Sequence, residues 1–202
     1  MSPKEIDTKT KIMEIAHGLF AKKGYDAVSV RDISKEADVN ISAISYHFEN
    51  KLGLYQSIIM HTMSTMVMEL EKIVKDNPNV TAVEYVGKMF DYFTHNESKL
   101  LSSFKFFMSM SEVLNDIEIE CMNDNKPPGG TILEALVIKE VPHVDEDDLA
   151  WLIRSVAGLA FHKSIICCNK CVIGQKKKHG ITPKILRDDL TRATKLMLDS
   201  IK

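Results

Sequence analysis

Two asparagines, Asn40 and Asn50, bracket the short segment Ile41–Phe48, and this bracket constrains the fold more than any other feature of the chain. Asparagine side chains accept the unpaired backbone N–H groups of a helix start. Asn40 therefore predicts a short helix over Ile41–Phe48. Asn50 predicts a long one from Lys51 to about Lys75, ended by Asp76-Asn77-Pro78 because proline cannot continue a helix. Upstream, Ser29 followed three residues later by Asp32 is a close variant of the capping box. It predicts a helix from Val30 to Ala37, then a turn at Asp38-Val39. Asp7 is placed to cap a first helix, about Thr8 to Lys23. Its Ile12, Ile15, Ala16, Leu19 and Phe20 form one apolar stripe, and Gly24 offers the positive φ that ends it.

The rest also reads as helix. Val83, Val86, Phe90 and Phe93 mark a fifth, and Leu101 to Met108 a sixth. Pro127-Pro128-Gly129-Gly130 is the clearest break. Further helices are expected over Thr131–Glu140, from Asp148 to about Cys171, and over Lys184–Ile201. The basic connection around Lys176, Lys177, Lys178 and His179 reads as a solvated turn. No strand alternation is sustained. The expected fold is all-α, with about nine helices. A three-helix helix-turn-helix domain over 1–52 precedes a larger helical domain over 53–202.

With 45% hydrophobic and 27% charged residues the chain has the composition of a folded protein. Its N-terminal residues lack the apolar segment of a secretion signal. The richest apolar run, Val156 to Cys168, is broken by His162 and Lys163, so no membrane span is expected and the location read from sequence is the cytoplasm. Three of the four cysteines, Cys167, Cys168 and Cys171, crowd together, which suits reduced thiols better than a disulfide framework. Charge gives no help: residues 1–51 hold eight Lys or Arg and eight Asp or Glu.

Two short helices joined by a tight turn and braced by a longer one form a helix-turn-helix, whose second helix enters the DNA major groove. In that helix Ile41, Ile44 and Phe48 share one side and are expected to face the core. Ser42, Ser45 and Tyr46 share the opposite side, with Ala43 and His47 beside them. Small and hydrogen-bonding residues are what a groove-facing surface needs.

Residues 29 to 55, from Ser29-Val30-Arg31-Asp32-Ile33 through Tyr46-His47-Phe48 to Lys51-Leu52-Gly53-Leu54-Tyr55, resemble the signature of the TetR family of transcription regulators. The Asn40-x-x-Ala43-Ile44-x-Tyr46-His47-Phe48 form is similar to the CecR-like branch. The match departs at the turn, where Asp38 stands for the usual glycine, and at Ser45, where an aromatic is frequent. The resemblance implies a dimeric, sequence-specific DNA-binding regulator, a repressor released by a small apolar effector. It implies phosphate contacts from Ser29 and Arg31, base or nearby contacts from Asn40, Ser42, Ala43 and Ser45, and backbone contacts from Tyr46, His47 and Lys51. It also implies an inverted-repeat operator on double-stranded DNA with half-sites about 34–36 Å apart or a multiple of one turn.

In the second half, Met63, Met66, Phe90, Phe93, Phe104, Phe107 and Met108 are dense enough in soft apolar groups to line an effector pocket, or simply to form core. The last two helices, with Ala157, Gly158 and Ala160, suit a four-helix homodimer interface. Cys167, Cys168 and Cys171 share a helix face and could bind a soft metal or sense oxidants, although cysteine is also a common core filler. No Gly-x-Ser-x-Gly, His-Glu-x-x-His, phosphate loop or paired-acid motif is present. The chain is therefore read as a regulator rather than an enzyme, with no cofactor and no metal required.

Overall fold

The computed structural model describes residues 3–98, 100–102, 104, 126–168 and 181–202. The described residues are all-helical, with no strand. They form α1 (Pro3–Lys23), α2 (Val30–Glu36), α3 (Ile41–Phe48), α4 (Lys51–Asp76), α5 (Ala82–His95), α6 (Gly130–Glu140), α7 (Glu146–Cys168) and α8 (Pro183–Ser200). A further helical stretch occupies positions 97, 98, 100–102 and 104. Phe107, Met108 and Cys171 lie outside the described residues, as does the basic connection except at its last residues.

The local start and stop signals act as their chemistry requires. The Ser29 hydroxyl accepts from the Asp32 N–H while Asp32 reaches back to the Ser29 N–H, completing a capping box. The Asn40 side chain accepts from the Ser42 N–H at 3.0 Å, and Asn50 Oδ1 from the Gly53 N–H at 3.0 Å. Gly24 turns left-handed (φ 82°), and Asp38 takes φ 50° in the turn where glycine is usual. Aspartate tolerates this conformation better than most residues. Asp7 does not cap α1, which starts earlier at Pro3 and carries Asp7 within it.

The chain divides into two compact units. The first holds α1–α3 and α4 as far as Ser64, past the boundary at 52 expected from sequence. The reason is packing. Leu54, Tyr55, Ile58 and Ile59 are buried together with Ile12, Ala16, Phe20, Val28, Ile33, Ile44 and Phe48. Tyr55 meets Phe20 edge-on with ring centroids 5.3 Å apart, and Tyr25 at 4.9 Å. Each such large side chain contributes roughly 1.5–3 kcal/mol by leaving water, so the first turns of α4 belong to this core.

The second unit holds α4 from Thr65, and α5 to α8. Its core runs through Leu70, Tyr85, Phe90, Phe93, Leu133, Leu152, Val156 and Leu190. α5, α7 and α8 pack on one another, with α6 against α5 and α7. Polar contacts tie the helices of this unit together and satisfy its buried hydroxyls. Glu140 accepts from the first N–H of α5 at Ala82. The Tyr85 hydroxyl donates to the Gly129 carbonyl at 3.3 Å. Arg187 Nε lies 2.9 Å from both Asp91 carboxylate oxygens. Its guanidinium lies over Gly87, where a Cβ would come within 2.9 Å of Nη2. The buried Ser164 and Thr194 hydroxyls donate to the carbonyls of Ala160 and Leu190.

α7 is long and apolar, yet it is a core helix. By length and composition this helix could cross a membrane, with mean hydropathy 1.3 over an 18-residue stretch. Arg154 and Lys163 interrupt its apolar run. In the structure Leu149, Leu152, Ile153, Val156 and Ala160 of this helix are buried in the core of the second unit.

Candidate nucleic-acid interface

The helix-turn-helix is assembled by four buried anchors. Ile33 and Ala37 hold α2 and its C-cap; Ile44 and Phe48 hold α3. The turn between them is tied by the Ser34 hydroxyl, which donates to the Val39 carbonyl at 3.0 Å, and by the Val39 N–H to the Ser34 carbonyl at 3.0 Å. At the far end α3 stops at Glu49, where φ is 64°. The Asn50 N–H then donates back to the Phe48 carbonyl at 2.7 Å. These bonds hold α3 at both ends and leave one face outward.

That face carries most of the residues expected on it. Asn40, Ser42 and Ser45 are exposed, Ala43 and His47 are half-buried, and Tyr46 is 72% exposed. The Tyr46 and His47 rings meet edge-on at 5.0 Å, which limits the sweep of both. Asn40 spends its side-chain oxygen on the cap, so its amide nitrogen is the group left to donate outward. Ile41 does not join the core: it is 42% exposed. Helical spacing aims it with Ile44 and Phe48, but at the first residue of α3 its neighbours Asn40 and Ser42 are themselves exposed, and they do not cover it.

The expected phosphate contacts are placed less simply. Arg31 is exposed at the start of α2. Ser29 is exposed too, but its N–H donates to Asp32 Oδ2 at 2.9 Å and its hydroxyl to the same oxygen at 2.5 Å. The Ser29 hydroxyl, then its N–H, hold the Asp32 carboxyl below the usual range, so it is ionised at neutral pH. Lys51 is half-buried with its ammonium 4.1 Å from the centre of the Tyr25 ring, a cation–π contact that fixes the charge beside α3.

Sequence reasoning passed over Gly53 as a site-building residue. A Cβ at this position would run into the Phe48 carbonyl oxygen. The close passage of α4 under the end of α3 requires glycine there, and no pattern within α4 announces it.

The expected effector residues divide. Met63 and Phe104 fall in the first unit, while Met66, Phe90 and Phe93 fall in the second. Phe90 and Phe93 are buried core residues, and Met66 is half-buried against the same cluster. Cys167 and Cys168 are free and half-buried. Burial first, then the Glu97 carboxylate, pushes both thiols up. Among the described residues no three His, Cys, Asp or Glu side chains gather closely enough to hold a metal.

Residues 12–58 match the model of the bacterial regulatory proteins of the tetR family. The chain is 34% identical over 99 residues to the "Probable HTH-type transcriptional regulator YttP" of Bacillus subtilis, a match covering 48% of each protein. It is 25% identical over 107 residues to the Staphylococcus epidermidis biofilm operon icaADBC HTH-type negative transcriptional regulator IcaR, covering 53% of this chain and 57% of that one. The chain thus spans about half the length of the curated relatives it matches. Among solved structures, a TetR-family transcriptional regulator from Haemophilus influenzae superposes with TM-score 0.69 at 20% identity, covering 96% of this chain and 98% of that one. A transcriptional regulator from Aquifex aeolicus gives 0.63 at 24% identity, covering 94% and 99%. These relatives are all transcriptional regulators by name, and none is an enzyme. Residues 12–58 thus resemble the DNA-binding domain of tetR-family regulators, and the described residues share the fold of these solved structures.

Proposed function

We propose that this chain is a dimeric, sequence-specific DNA-binding transcription regulator, a cytoplasmic repressor that a small apolar effector releases from an inverted-repeat operator, similar to the CecR-like branch. The observation that carries the reading is the outward face of α3, capped at its start and anchored from beneath by Ile44 and Phe48. Asn40, Ser42, Ala43 and Ser45 are assigned to bases or nearby backbone. Arg31, Tyr46, His47 and Lys51 are assigned to phosphates, and Ser29 after exchange with Asp32. The reading head extends to Ser64, and the remainder forms the effector and dimer domain.

Dimerisation through α7 and α8 is supported by their exposed apolar groups. Trp151 is 43% exposed and Leu196 63%, and Gly158 is an exposed glycine with open space around it. Two copies related by a two-fold axis would present two α3 helices to an inverted repeat. Effector release follows the resemblance to ligand-controlled regulators. Met66, adaptable and half-buried against the core cluster that includes Phe90 and Phe93, is the described side chain that best supports a pocket.

The test is selection of duplexes from a random-sequence library by the full-length protein, followed by mobility-shift titration across salt. An inverted repeat should be enriched. Lys51→Ala should weaken binding at low salt and reduce the salt slope by about one per chain, with Tyr46→Ala also weakening binding. Melting temperatures should stay close to wild type. Failure to enrich any sequence refutes the reading.

A further inference from the structure

In the first compact unit, Ile41 and Tyr46 are the exposed large hydrophobic residues among those described, and both lie on α3. Tyr46 has a hydroxyl to offer. Ile41 has nothing but branched hydrocarbon, at the first position of the helix, between the exposed polar residues Asn40 and Ser42. The N-terminal residues of a recognition helix are the ones that reach base edges. The floor of the major groove displays hydrogen-bonding groups at every base pair, and one apolar group, the C5 methyl of thymine. An isoleucine set against any other base edge would strip water from polar atoms and return no hydrogen bond. Ala43, the other apolar residue of α3 outside its buried anchors, is half-buried and short.

We infer that Ile41 is a specificity-determining residue that selects thymine, by packing its branched side chain on the C5 methyl group in each half-site. The inference rests on the DNA-binding reading above and assigns one base preference within it. It gives this surface an apolar contact where the neighbouring positions offer hydrogen bonds, so the two kinds of readout discriminate different bases of the same half-site.

The test uses the full-length protein and the duplex it selects from a random library. Each thymine of the selected site is replaced in turn by deoxyuridine, which lacks only the C5 methyl. One such replacement should weaken wild-type binding about four-fold, and about fifteen-fold when made in both half-sites, the worth of one and two buried methyl groups. The same replacement should leave Ile41→Ala unaffected, and Ile41→Val should keep part of the sensitivity. Ile41 is exposed, so these variants should melt near wild type; should Ile41→Ala fail to fold, Ile41→Val and the wild-type deoxyuridine series still decide. If no thymine is methyl-sensitive, or if the sensitive one remains so in Ile41→Ala, the assignment of Ile41 is overturned while DNA binding stands. If no duplex is selected at all, the DNA-binding reading falls and this inference with it.

Discussion

The same substitution, glycine to alanine, should have opposite effects at two helical positions of the first unit. At Gly53 the added methyl meets the Phe48 carbonyl oxygen, with the carbonyl carbon at 3.3 Å. That carbonyl is backbone and already accepts the Asn50 N–H, so it cannot swing aside like a side-chain tip. Relief requires α4 to shift, which loosens the Asn50 cap on the Gly53 N–H. Overpacking of this kind costs about 1–3 kcal/mol, and weakening the cap costs about 1 kcal/mol more. Against this stands a helix-propensity gain of about 1 kcal/mol for alanine over glycine. The net expectation for Gly53→Ala is a loss of about 1–3 kcal/mol, or roughly 2–12 °C in melting temperature for a chain of this size. Gly18, in α1, has no atom within 4 Å of a built Cβ and is exposed. Gly18→Ala should therefore gain up to about 1 kcal/mol. Urea unfolding followed by circular dichroism measures both. If Gly53→Ala proves neutral or stabilising while Gly18→Ala gains, the close passage of α4 beneath α3 is wrong.

Three further predictions follow from titration and packing. Burial holds the His17 imidazole below its ordinary pKa, so the unfolded chain binds its proton more readily. The resulting stability is full above the unfolded value of about 6.5 and is lost as pH falls from there through the lower folded value; His17→Gln should flatten this part of an acid titration of the melting temperature, and an unchanged profile would refute it. Cys167 and Cys168, with thiols pushed up by burial and then Glu97, should react with iodoacetamide more slowly than free glutathione at neutral pH; faster labelling by mass spectrometry would restore them as reactive sensors. Gly158→Ala should weaken a dimer that closes over α7, read by sedimentation equilibrium, whereas a raised melting temperature with unchanged association would place the interface elsewhere.

What could be read from the sequence is what the chain settles within three or four residues. Ser29 with Asp32, Asn40 with Ser42, and Asn50 with Gly53 are contacts between near neighbours. The same holds for the left-handed turns at Gly24 and Asp38. Those signals yielded α2 with one residue too many at its end, and α3 in full. What escaped depends on parts of the chain far apart. Glu140 capping α5, Tyr85 reaching Gly129, and Arg187 gripping Asp91 across Gly87 join residues separated by tens of positions. Ile41 shows the limit of periodicity, which assigns a direction to a side chain but no neighbour to receive it. The start of α1 at Pro3 shows that a capping residue such as Asp7 can also sit inside a helix.

The knot between Ser29 and Asp32 has a consequence for how long a complex would last. The first turn of α2 is occupied by the protein's own anion, ionised and doubly bonded, where a nucleic-acid strand would otherwise find a welcome. Residues 1–51 add no surplus cation to offset it. Under the DNA-binding role proposed above, this turn would gain little from displacing counterions, and residence would rest on the fit of side chains elsewhere on the surface.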